Sequence, residues 1–110
     1  SGRIHSYTPQ KCVDHKEAIA QVALYTNRGR AFFTIQPLEL CLKFYVHPPK
    51  RTNRASPTVK PDLSNYVKLC EDALTGIIWK DDAQVVRLAA EKRYIVDGEE
   101  PRTEITVRAL

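Results

Sequence analysis

The chain has 110 residues, 43% of them hydrophobic and 27% charged, and its 17 Lys+Arg against 13 Asp+Glu give a formal net charge of +4. This length suits one domain, residues 1–110, and excludes a second of ordinary size. The basic balance favours a polyanionic partner, and no apolar run approaches the ~20 residues that cross a bilayer, which excludes a membrane helix and, with the polar first residues, a signal peptide.

Arg3 to Tyr7 reads as a short strand or extended arm. Thr8-Pro9 then reads as a helix N-cap followed by proline at the first helical position, where no amide donor is needed. The helix presents Cys12, Ile19, Val22, Ala23 and Thr26 on one face and stops near Asn27-Arg28-Gly29. Leu38 to Val46 alternates strictly, with Leu38, Leu40, Leu42, Phe44 and Val46 on one side, the pattern of a half-buried strand. Pro48-Pro49 ends it, and a polar loop of about a dozen residues leads to Lys60. A second helix starts at Asp62, buries Leu63, Tyr66, Val67, Cys70, Ala73 and Leu74, and ends at Gly76. Val85 to Tyr94 reads as a strand, Asp97-Gly98 as a turn, and Arg102 to Leu110 as a last strand with Ile105, Val107 and Ala109 inward. The sum is an α+β domain, a small mixed sheet with two main helices packed on it.

The three cysteines, Cys12, Cys41 and Cys70, are widely spaced and uneven in number, so they read as buried free thiols, suited to a reducing cytoplasm. From Ser1-Gly2 and the absence of methionine the expectation is that the native start lies upstream.

Charge is unevenly distributed. His47, Lys50, Arg51, Arg54 and Lys60 lie between Val46 and Pro61 with no acid among them, and acids concentrate just afterwards. Magnesium takes oxygen ligands and usually one or two carboxylates per ion, leaving the other positions to water and substrate phosphate. Two such ions ~4 Å apart stabilise both the attacking and the leaving oxygen of a phosphodiester displacement. Asp62, at the mouth of the second helix, and Asp82, before the next strand, are the candidates to converge if that helix packs across the strand. Ser64, Lys68 and Glu71 share a helix face, four and seven residues apart, where a lysine is placed to bind a phosphate or offset transition-state charge. Each residue also has an ordinary role open to it: Asp62 as a helix cap, Asp81-Asp82 as a solvated turn, Lys68 with Glu71 or Asp72 as an exposed helix face. His5, His15 and His47 lack metal-ligand spacing.

The run Lys60-Pro61-Asp62-Leu63-Ser64-Asn65-Tyr66-Val67-Lys68, then Glu71-Asp72-Ala73-Leu74-Thr75-Gly76 and Trp79-Lys80-Asp81-Asp82-Ala83-Gln84-Val85-Val86, resembles the signature of the RusA family of Holliday junction resolvases. That signature reads roughly Asp-Leu-Asp-Asn, a lysine, Asp-Ala-Leu, then Asp-Asp-Ser/Ala-Gln-Val-Val. The likeness is close over about Lys60 to Arg93, and Tyr7-Thr8-Pro9-x-Lys11 is similar as well. It implies a RusA-like homodimeric fold, with a further strand before the present start. It also implies an endodeoxyribonuclease of bacterial or phage cytoplasm that resolves four-way junctions by paired nicks in recombination and repair, using Mg2+ or Mn2+.

By similarity Asp62 and Asp82 match metal-binding catalytic aspartates and Lys68 the catalytic lysine, with Asp81, Glu71 and Ser64 as further metal candidates. Asn65, Asp72 and Asp81 match signature positions. Lys50, Arg51, Arg54 and Lys60 would hold DNA phosphates. Ser64 departs from the pattern, standing where the family has its second aspartate. A neutral hydroxyl there leaves three alternatives: weak metal binding, substitution by Glu71 or Asp81, or a junction-binding protein without catalysis. Two unrelated readings stand beside these. One is a nuclease using Pro61-Asp62, Glu91 and Arg93, which lacks the closing lysine of that pattern, and the other is a basic structural protein with no nucleic acid.

Overall fold

The structure is a computed structural model that describes residues 2–7, 15–27, 32–48, 57–58 and 62–110. In chain order the elements are β1 (Gly2–Tyr7), α1 (His15–Thr26), β2 (Leu38–Val46), α2 (Leu63–Leu74), a 3-10 turn (Asp82–Gln84), β3 (Val85–Tyr94) and β4 (Arg102–Ala109). The four strands form one sheet in the order β1-β4-β2-β3. β4 runs antiparallel to both β1 and β2, whereas β2 and β3 are parallel. The parallel pair follows from the connection, since two parallel neighbours require a crossover and α2 supplies it.

The alternation in β2 is realised: Leu38, Leu40, Leu42 and Phe44 are buried, and Glu39, Cys41, Lys43 and Tyr45 lie on the more open face. Thr103, Ile105 and Val107 of β4 continue the buried layer, onto which α2 lays Cys70, Ala73 and Leu74, and α1 adds Ile19 and Ala23. Each fully buried Leu or Ile contributes about 1.5–3 kcal/mol relative to exposure. Phe44 and Tyr66 stack with ring centroids 4.8 Å apart, fixing the first turn of α2 over the end of β2. The opposite sheet face is polar, and Glu39 there pairs with both Arg87 and Arg108.

The expected start of the first helix at Thr8-Pro9 lies outside the described residues, as do Cys12 and most of the basic loop. α1 ends where Asn27 donates its backbone amide to the Ala23 carbonyl and its Nδ2 to the Ile77 carbonyl. α2 stops as expected: Thr75 leaves helical geometry, and Gly76 adopts φ +89°, a backbone conformation that favours glycine. Of the two described cysteines Cys70 is buried, its thiol pushed up to about 12 by burial and then by Glu71, and Cys41 is half-buried. Among the described residues no helix is long and apolar enough to cross a membrane. β3 is one edge of the sheet, with Val86 and Leu88 exposed.

Candidate functional site

The two adjacent aspartates after α2 do different work. Asp81 is the N-cap of the 3-10 turn: its side chain accepts from the Ala83 amide at 2.9 Å. Gln84 completes a capping box, its Oε1 accepting from the amides of Lys80 and Asp81, both at 2.9 Å. The Gln84 Nε2 in turn donates to the carbonyls of Phe33 and Gln36, at 3.2 Å each. Gln84 is therefore a buried clasp between the turn and the segment before β2. Backbone bonds reinforce it, Phe33 to the Ile78 carbonyl and Lys80 to the Phe33 carbonyl.

With Asp81 engaged in capping, the turn directs Asp82 back towards the C-terminal end of α2. The Trp79 Nε1 donates to Asp82 Oδ1 at 3.0 Å and, in the same fork, to Thr75 Oγ1 at 3.0 Å. Thr75 Oγ1 lies in hydrogen-bond contact with Asp82 Oδ1 and with the Glu71 carbonyl. The indole is fully buried and can only donate, so its one proton is satisfied within the protein, shared between Asp82 Oδ1 and Thr75 Oγ1.

Ser64, Lys68 and Glu71 do share one face of α2. Together with Leu63 and Val67 they line an open groove of about 400 Å³ against Leu88 and Ala90 of β3. The Glu71 carboxyl titrates above its usual range because burial disfavours its charge, with the Asp82 carboxylate adding to that and Lys68 opposing it. The Glu71 carboxyl thus feels the Asp82 and Asp72 carboxylates on one side of the balance and the Lys68 ammonium on the other. A hard dication relieves that repulsion, and one or two carboxylates per ion is what magnesium takes from a protein, so the donor chemistry fits. Asp82 and Glu71 would hold such an ion. Among the described residues no three acid, His or Cys side chains gather closely enough to enclose one within a single chain.

Asp62 occupies the N-cap position of α2, and its carbonyl accepts from the amides of Asn65 and Tyr66, but its side chain makes no capping bond. The carboxylate is exposed and uncommitted to the helix end. α2 has 12 residues, about 18 Å of axis, and Asp62 and Asp82 meet its opposite ends. The chain therefore ties Asp82 to the C-terminal turn of α2, through Thr75 and the Glu71 carbonyl, and sets Asp62 and Ser64 towards the far end of the same helix. Asn65, Asp72 and Asp81 are exposed. Lys50, Arg51, Arg54 and Lys60 lie outside the described residues.

Sequence reasoning assigned no role to Gln84, Thr75 or Trp79. A glutamine two residues after a carboxylate and a threonine at a helix end are too common to stand out alone. Only the closure of the 3-10 turn shows what they bond.

The model of the family "Endodeoxyribonuclease RusA" matches residues 1–108. An uncharacterized protein of Bacillus subtilis (strain 168), YqaN, is 36% identical over 122 residues, an alignment that covers the whole of this chain and 82% of that protein. With a family match over nearly its full length and the signature residues gathered along α2 and the turn after it, the chain belongs to the RusA family of endodeoxyribonucleases.

Proposed function

We propose that the protein is a divalent-metal-dependent endonuclease that binds four-way DNA junctions as a homodimer and nicks two strands symmetrically, in recombination and repair in the cytoplasm. The observation that carries the reading is the division of the acidic groups along α2, with Asp82 and Glu71 at one end and Asp62 at the other, bordering a sheet edge. A second copy supports a complete site. If β3 pairs with its two-fold equivalent, the edge strands run antiparallel, and so do the two α2 helices above them. The N-terminal end of each α2 then faces the C-terminal end of the other, and Asp62 of each copy approaches Asp82 of the other.

The β3 sequence suits such pairing. Centred on Ala89, Arg87 of each copy meets Glu91 of the other, and Leu88 meets Ala90, covering exposed apolar surface. A long unpaired edge strand otherwise invites association of a less specific kind.

Asp82 and Glu71 of one copy, with Asp62 of the other, would hold magnesium or manganese, which when bound stabilises negative charge developing on the phosphate and lowers the pKa of an attacking water. Lys68 projects beside the same groove, where its ammonium would neutralise a phosphate oxygen. Lys50, Arg51, Arg54 and Lys60 would take phosphates further along the junction arms, fixing orientation without reading bases.

The test is incubation with a synthetic four-way junction in magnesium, manganese or chelator, scored for binding and for nicking. Asp62→Asn and Asp82→Asn should each bind the junction and fail to cut. Mixed after co-refolding, the two inactive variants should recover activity, since a shared site leaves one of the two centres in each heterodimer intact. Absence of recovery in verified heterodimers would refute sharing, and wild-type cleavage by either variant would remove that residue from the site. The second reading is a junction-binding protein without catalysis, favoured by Ser64, and binding without nicking under every metal condition would establish it.

A further inference from the structure

Asp82 is half-buried, and its carboxylate is held from one side. Among the described residues its hydrogen bonds fall on one oxygen, Oδ1, which takes the Trp79 Nε1–H at 3.0 Å and the Thr75 hydroxyl. The same indole proton is shared with Thr75 Oγ1, also at 3.0 Å, and Thr75 Oγ1 sits 2.7 Å from the Glu71 carbonyl. Trp79 has no exposed surface, so it cannot turn its N–H to water without leaving the core. Thr75 is the C-cap of α2, its own amide bonded to the Glu71 carbonyl. The fork therefore ties together three things that need a fixed relation: the end of the helix, the backbone of Glu71 and one oxygen of Asp82.

We propose that Thr75 and Trp79 are positioning residues for the metal-binding carboxylate: they clamp Asp82 by Oδ1, so that Oδ2 is the oxygen offered to a divalent cation beside Glu71. This rests on the reading of Asp82 as a metal ligand. A carboxylate held by two donors cannot rotate to average its oxygens, and partners of this kind typically carry about 10–100-fold of metal affinity or activity. The hydroxyl is the adjustable member, because serine keeps it whereas valine keeps only the shape. A threonine serving only to cap the helix would affect stability and leave metal affinity alone.

Trp79 is the only tryptophan of the chain, so the clamp carries its own reporter. The experiment titrates the full chain with Mn2+ in the absence of DNA. Trp79 emission, quenched by the paramagnetic ion, is followed in parallel with calorimetry. The wild type should quench saturably, and Asp82→Asn should not. Thr75→Val should bind Mn2+ about tenfold more weakly or worse, while Thr75→Ser stays close to wild type. Junction binding in chelator should be unchanged in both. Thr75→Ala, judged against its own melting curve, replaces Thr75→Val should the latter not fold. Wild-type Mn2+ affinity in Thr75→Val, or equal impairment of Thr75→Ser and Thr75→Val, would overturn the clamp while leaving Asp82 as a ligand. Unchanged Mn2+ binding in Asp82→Asn would overturn the metal site itself, and the clamp with it.

Discussion

Replacing Gln84 by alanine should destabilise the domain severely and loosen the site, although the residue would touch neither DNA nor metal. The side chain makes four hydrogen bonds to backbone groups, two accepted from Lys80 and Asp81 and two donated to Phe33 and Gln36. A net hydrogen bond is worth about 1 kcal/mol, and a buried backbone group left without a partner costs about as much or more. The Lys80 amide and the Phe33 carbonyl keep their bond to each other, whereas the Asp81 amide and the Gln36 carbonyl lose this partner and in part take water, so the expected loss is about 3 kcal/mol, most of it from the four bonds themselves. For a chain of this size about 4 °C of melting temperature accompanies each kcal/mol, which places the variant roughly 12 °C below wild type.

Gln84→Glu keeps the two acceptor bonds but sets a carboxylate against the Phe33 and Gln36 carbonyls. It should be at least as damaging at neutral pH, and less so in acid, where the protonated form regains a donor. Thermal denaturation followed by circular dichroism, with chelator present, measures both variants. A Gln84→Ala melting temperature within 2–3 °C of wild type would refute the reasoning, by showing that these backbone groups are satisfied without the clasp.

Glu71→Gln should change stability in a pH-dependent way. The folded carboxyl titrates above its usual value of 4.5, so the stability linked to its protonation is complete below that value and is lost as pH rises through the raised one. The glutamine variant escapes this loss, and its melting temperature should gain on wild type towards pH 7 and converge with it towards pH 4; a constant difference across that range would count against the assignment. Ser64→Asp should lower the Mg2+ concentration at half-maximal nicking, and if Glu71 supplies the charge missing from Ser64, the new carboxylate should rescue Glu71→Gln. Additive effects in that double variant would exclude a shared site. Leu88→Lys, on the exposed edge of β3, should yield a folded monomer in sedimentation if that edge is the dimer contact, and an unchanged mass would place the contact elsewhere.

Where local chemistry decides the structure, residue order was enough. Strict alternation marks β2 as a strand with Leu38, Leu40, Leu42 and Phe44 inward, because a period of two admits one assignment of faces. Gly76 marks the end of α2 because the chain there takes positive φ. Ser64, Lys68 and Glu71 could be put on one face from their spacing alone, since three to four residues make a helical turn.

Contacts between segments distant in sequence were not legible in that way. Residue order made Asp81 and Asp82 look alike, and it let Asp62 and Asp82 converge. The structure assigns Asp81 to capping and Asp82 to Thr75 and Trp79, and it sets Asp62 at the other end of α2.

By itself, then, the sequence determined the elements, the apolar faces and the family, since each depends on neighbours within a turn or a strand. Which of the two adjacent aspartates turns back to the end of α2, which oxygen of Asp82 is occupied, and that Gln84 clasps the turn were decided only by tertiary structure. These depend on where the parallel crossover from β2 to β3 lays the end of α2, and that position is set by packing among Trp79, Leu74 and the sheet rather than by local spacing.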